Sequence, residues 1–93
     1  MKKLKDIIDC DFDVEITGIN EDSRDIKSGY LFVATKGFNV DHFDYIGAAI
    51  ENGAVALVTD REYDTDLPVV IVDDINSTYL ELCKKFYDVK YIT

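Results

Sequence analysis

The run Tyr30-Leu31-Phe32-Val33-Ala34-Thr35 is apolar at consecutive positions, whereas a strand with one wet face would alternate. Rich in aromatic and β-branched residues, it belongs in the middle of a sheet covered on both faces. The run opens into a glycine-containing loop, Lys36-Gly37-Phe38-Asn39-Val40-Asp41, and a helical pattern starts at once. Asp41 is a fitting N-cap and Asp44 complements the positive helix end. Phe43, Ile46, Ala49 and Ile50 share one helical face, and Gly53 falls where a left-handed C-cap is wanted. Ala54 to Thr59 then reads as a second buried strand. Strand, helix and strand in this order imply a right-handed βαβ crossover.

The flanking segments extend this α/β pattern. Leu4, Ile7 and Ile8 predict a short first helix that fades over Asp9 to Asp13, and Val14 to Ile19 predicts a strand. Asn20 to Asp25 is polar and irregular, and Ile26 to Gly29 reads as a turn. Beyond a charged loop from Asp60 to Leu67, Pro68 leads into the apolar strand Val69-Val70-Ile71-Val72. Asp74 or Asn76 can cap a last helix with Tyr79, Leu82, Cys83 and Phe86 on its apolar stripe. Residues 88–93 read as a further strand or a linker. The expected fold is a small α/β sandwich, a mixed and mostly parallel sheet flanked by helices.

Size and charge narrow the function classes. Ninety-three residues make one domain, burying somewhat over ~60% of its unfolded surface. A formal charge of -9 weighs against nucleic acid and anionic membranes as partners. An anionic ligand would have to be gripped locally, by backbone N–H groups and a few cations. No apolar run is long enough to span a bilayer and no secretory h-region forms, so a cytoplasmic location is expected. Cys10 and Cys83 lack metal or redox spacing and fit reduced, packed thiols. The single histidine, His42, makes a zinc centre improbable. Neither G-x-x-x-x-G-K-[ST] nor G-x-G-x-x-G is present, so the chain builds no triphosphate cradle of the usual kind.

Binding chemistry gathers instead around Asp22-Ser23-Arg24 and the loop after the central strand. Ser23 offers a donor and two lone pairs to a nucleobase edge or a ribose, and Arg24 a fork of donors to phosphate or to Asp22. Gly37 permits close backbone approach, while Phe38 can stack on a planar ring. The same triplet also suits a capped turn with a surface ion pair.

The run from Ile19 to Gly37 resembles the N-terminal domain of the Mur ligases. These are ATP-dependent enzymes that add amino acids to the UDP-N-acetylmuramoyl precursor of peptidoglycan. Val40-Asp41, Ala48-Ala49-Ile50-Glu51-Asn52-Gly53-Ala54-Val55-Ala56 and Pro68-Val69-Val70-Ile71-Val72 continue the resemblance over the whole chain. The closing Phe86-Tyr87 resembles the type that adds the third stem-peptide residue, with the type adding the terminal dipeptide as second choice. The resemblance implies that this domain holds the UDP end of a UDP-N-acetylmuramoyl-peptide, with Ser23 on the uridine. Glu21 and Asp22 would shape that turn, and Gly37, Phe38, Asn39 and Val40 would wrap the nucleotide. Arg24 would hold the loop or touch phosphate.

Two departures stand out. The family commonly reads Asp-Gly-His where this chain reads Asp41-His42-Phe43, and His42 is expected to be an exposed helix-start residue rather than a catalyst. The family's Gly-Thr-Gly-x-x-Gly-Lys-Thr phosphate loop follows shortly after the position of Thr93. The chain is therefore expected to be a piece of a longer ligase, without cofactor or catalysis of its own. Its partner would be the central ATPase domain, where ATP and Mg²⁺ would bind. The alternatives are a stand-alone interaction or regulatory module that keeps the fold without ligase activity, and an acidic interaction domain unrelated to cell-wall synthesis.

Overall fold

The computed structural model describes residues 2–87. The strand or linker expected over residues 88–93 lies outside them. In chain order the regular elements are β1 (Lys2–Lys3), β2 (Glu15–Ile16), β3 (Gly18–Asn20), β4 (Tyr30–Val33), α1 (Ile46–Asn52), β5 (Ala56–Thr59), β6 (Val69–Ile71) and α2 (Ile75–Tyr87). Strands β3-β4-β5-β6 form a parallel sheet in that order. Antiparallel pairing is found in a separate ribbon, β1 with β2, and in a single bridge between Lys36 and Asp41.

The apolar run does lie inside the sheet. Its alternate side chains feed two cores. Leu31 and Val33, with Ala56 and Val58, pack against Leu4, Ile7, Ile16, Ile75 and Leu82, so the N-terminal segment and α2 cover this face. Phe32 and Ala34, with Leu57, pack against Ile26, Ile46 and Ala49 on the α1 side. Register places Phe32 opposite Leu57 and Val33 opposite Val58. Period-2 alternation therefore sorts one continuous hydrophobic string into two layers.

Both ends of α1 follow the capping logic. The Asp41 side chain accepts from the Phe43 N–H at 3.0 Å, and a 3-10 turn, His42–Tyr45, leads into the helix. Gly53 closes it in the left-handed region at φ 119°. For α2, Asp74 takes the capping role by accepting from the Ser77 N–H at 3.1 Å. Asn76 does something else, described below.

Two expectations are corrected. The first helix is one 3-10 turn, Leu4–Asp6. Leu4 and Ile7 both reach the core, and an i, i+3 pair needs no longer helix than that. The expected strand from Val14 to Ile19 is broken at Thr17. There the N–H donates to the Gly29 carbonyl at 2.9 Å and Oγ1 donates to the Ser28 carbonyl at 3.1 Å. The chain thus leaves the ribbon for the parallel sheet at that residue.

Candidate functional site

The carboxyl ends of β3 and β4 are where an open parallel sheet leaves backbone groups free for a ligand. Beyond β3 the Asn20 side chain accepts from the Asp22 N–H at 2.9 Å, turning the chain sharply. Asp22 then caps the 3-10 turn Ser23–Asp25 by accepting from the Arg24 N–H at 2.9 Å. Its carboxylate also takes a two-pronged pair from the guanidinium, 3.0 Å from Nε and 2.7 Å from Nη2. The Arg24 side-chain and backbone donors hold the Asp22 carboxyl down at about 2. Nη1 of Arg24 makes no hydrogen bond to the described residues, and the side chain is 86% exposed.

Ser23 is buried in this turn. Its carbonyl accepts from Asn52 Nδ2 at 2.7 Å, which ties the turn to the last residue of α1. Asp22, Ser23 and Arg24 form one wall of a cavity of about 440 Å³, and Val40, His42, Tyr45 and Ala48 form the other. Four of the eight residues singled out in the sequence therefore share one cavity: Asp22, Ser23, Arg24 and Val40. Glu21 stands behind it, accepting from Thr35 Oγ1 at 2.7 Å. Gly37, Phe38 and Asn39 lie on the exposed loop outside the lining, with Phe38 94% exposed.

His42 departs from expectation. It opens the 3-10 turn, but its ring is only half exposed and is drawn under the strand end. Its backbone N–H donates to the Thr35 carbonyl at 3.0 Å, and ring Nδ1 lies 3.1 Å from the same oxygen and 3.1 Å from Thr35 Oγ1. Thr35 is buried just beyond β4, and its main-chain oxygen meets both the His42 N–H and the ring. His42, Tyr45 and Ala48 were not singled out as site residues from sequence. Tyr45 and Ala48 follow His42 at steps of three residues and are both exposed, so the three can be neighbours on one helical surface, which is the signal available.

The loop between β4 and α1 is braced from two sides. The Lys36 N–H donates to Asn76 Oδ1, and Asn76 Nδ2 donates to the Lys36 carbonyl, both at 2.8 Å, so the start of α2 grips the loop through its backbone. Within the loop, the Gly37 N–H reaches the Val40 carbonyl. On the other side, Arg61 bridges Asp41 and Asp60, each at 2.8 Å, and its guanidinium lies 4.3 Å over the Phe43 ring. Lys36 Nζ completes the network 2.9 Å from Asp60. Burial opposes ionisation of Asp41, yet the Arg61 bond and the Phe43 N–H keep its carboxyl below the usual range.

Arg61 and Lys36 pull the Asp60 carboxyl from its ordinary 3.8 down to about 2. The sign follows from the lowered folded-state value. The network's contribution is fully present above pH 4 and is lost as pH falls through about 2. An Asp60→Asn variant is expected to be less stable at pH 6. Its urea midpoint should converge on that of the parent between pH 4 and pH 2. A gap that stays constant across that window would show that Asp60 is not ionised through this network.

Among the described residues no three His, Cys, Asp or Glu side chains converge to hold a metal, and no helix is long and apolar enough to cross a membrane. Cys10 and Cys83 are free and half-buried.

A sequence profile described as "Mur ligase family, catalytic domain" matches residues 15–88. The chain belongs to the Mur ligase family. It is 45% identical over 75 residues to the UDP-N-acetylmuramoyl-L-alanyl-D-glutamate--2,6-diaminopimelate ligase of Bacillus licheniformis, covering 81% of this chain and 15% of that protein. It is 40% identical over 90 residues to the enzyme of the same name from Caldanaerobacter subterraneus subsp. tengcongensis, covering 95% and 19%. The chain thus spans less than a fifth of the length of these relatives. Among solved structures, MurF ligase from Thermotoga maritima in complex with ADP superimposes with a TM-score of 0.63 at 27% identity, over 76% of this chain and 16% of that one. MurF from Acinetobacter baumannii gives 0.66 at 28%, over 72% and 15%. The sequence relatives carry one ligase name and the similar solved structures another, so likeness of fold alone does not decide between them.

Proposed function

We propose that this Mur ligase domain recognises the nucleotide end of a UDP-N-acetylmuramoyl-peptide, in a ligase of peptidoglycan synthesis that adds the third stem-peptide residue. The observation that carries this reading is the cavity at the carboxyl ends of β3 and β4, walled by Asp22-Ser23-Arg24 and by the start of α1. A planar base suits its inner end, where buried Ser23 and half-buried His42 stand. A diphosphate suits its mouth, where Arg24 keeps a free guanidinium nitrogen in solvent. With a net charge of -9 the chain has no broad basic surface for an anion, so a local grip is required.

The third-residue assignment rests on the names of the relatives, which are diaminopimelate ligases. In this reading the domain takes no part in bond making. ATP and Mg²⁺ would be held by other parts of a longer cytoplasmic enzyme, which would activate the peptide carboxylate and join the amino acid. Binding energy gathered far from the reacting carboxylate positions it without entering the chemical step.

Titrating the chain with UMP and UDP, followed by ¹H–¹⁵N spectra, is expected to shift the amides of Ser23, Arg24, His42 and Tyr45. Ser23→Ala is expected to weaken UMP about three- to tenfold, the scale of one net hydrogen bond. Spectra unchanged at millimolar UDP would overturn the reading.

A further inference from the structure

Within the cavity, His42 is the residue whose chemistry the fold has restricted most. The Thr35 carbonyl 3.1 Å from Nδ1 is an acceptor only, so the proton of a neutral ring belongs on Nδ1. The backbone N–H of His42 bonds the same oxygen at 3.0 Å, which holds the residue against the strand end at two points. Thr35 Oγ1 donates to Glu21 at 2.7 Å, so the hydroxyl proton faces Glu21 and its lone pairs face the ring. The tautomer is thereby set from behind, by Thr35. Nε2 makes no hydrogen bond to the described residues, and the ring lines the cavity together with Ser23 and Tyr45.

We infer that His42 is a base-reading residue that presents Nε2 as a fixed lone pair to a ring N–H of the bound nucleotide. The inference rests on the nucleotide reading above and names what selects the base. An imide edge alternates acceptor, donor, acceptor. The Ser23 hydroxyl can donate to one carbonyl while Nε2 accepts from the N–H between the two. Cytosine carries a lone pair where uracil carries that N–H, and would set it against the lone pair of Nε2. A site whose acceptor is covered by the bound base discriminates sharply against a ligand that cannot supply the donor.

The test compares UMP, CMP and N3-methyl-UMP on the parent chain, His42→Ala and His42→Gln. The parent is expected to favour UMP over the other two by about tenfold or more, the cost of one unpaired group in such a site. His42→Ala should bring the three ligands close together, and His42→Gln, which retains a carbonyl acceptor, should restore part of the preference. Long-range ¹H–¹⁵N spectra of the parent should show the Nδ1–H tautomer, with an upfield shift of Nε2 when UMP is added. This measurement needs no variant to fold. UMP binding that is undiminished and equally selective in His42→Ala, or a ring protonated on Nε2, would overturn the inference and leave the nucleotide reading standing. Absence of UMP binding to the parent would remove that reading and the inference with it.

Discussion

Phe32→Ala is expected to cost about 3–5 kcal/mol, the range for emptying a large aromatic site in a closed core. Phe32 is fully buried and is the largest of the wholly enclosed side chains among the described residues. It sits on a central strand between two hydrogen-bonded neighbours, so the backbone cannot collapse into the space. Domains of this size have about 5–15 kcal/mol in all. The variant should therefore melt roughly 12–40 °C lower, at about 4–8 °C per kcal/mol. A urea midpoint that falls with an unchanged slope would confirm a pure stability loss. The same ring underlies the site. Ile46 and Ala49 of α1 rest on the Phe32 cluster, and the residues just before each of them, Tyr45 and Ala48, line the cavity. UMP binding measured below the variant's melting range should weaken as α1 loses its seat. A loss below 1 kcal/mol would mean that the second core is looser than its packing implies.

The elements that sequence reading recovered are those whose signal is local. The unbroken apolar string over Tyr30 to Thr35 requires covered faces on both sides, and both core layers are indeed built on it. Asp41 and Gly53 mark the two ends of one helical segment because capping depends on backbone groups only a few residues away. The break at Thr17 was not legible, since it depends on Ser28 and Gly29 arriving beside it from across the sheet. The bracket made by Arg61 was equally hidden. Asp41 and Arg61 are 20 positions apart and meet only because parallel strands bring successive carboxyl ends to one edge.

The same physics divides the candidate site. Asp22, Ser23 and Arg24 form a single tight turn whose hydrogen bonds span two or three residues, so their clustering could be read from their order. Val40 and His42 reach the cavity through the course of a loop that Asn76 and Arg61 hold from outside. No spacing rule encodes those two braces. Phe38 illustrates the converse, since an aromatic residue in a glycine loop reads as a stacking surface while the fold leaves it in solvent.

Gly53→Ala is expected to destabilise the chain by about 2–5 kcal/mol, through two costs that act together. The left-handed conformation at φ 119° is costly for any residue with a side chain, by about 1–2 kcal/mol. The new methyl would also stand 2.6 Å from Ser28 Cα and 2.8 Å from Ser28 N. Both are backbone atoms, so no rotamer change can make room, and overpacking of this kind adds about 1–3 kcal/mol. The Ser28 segment cannot simply retreat, because the Gly29 N–H donates to the Gly53 carbonyl at 2.9 Å and Thr17 holds its other side. The displacement would pass instead to Asn52, whose side chain fixes the Ser23 carbonyl, and so to the cavity wall. Thermal melts should show the stability loss, and UMP titration should show weaker binding with altered Ser23 shifts. Gly47→Ala is the matched control on the same helix. A Cβ there meets nothing within 4 Å, and removing a glycine from a position whose backbone suits alanine should stabilise by about 0.4–1 kcal/mol. If both alanines had the same effect, the close approach of Gly53 to Ser28 would not be what requires glycine at the end of α1.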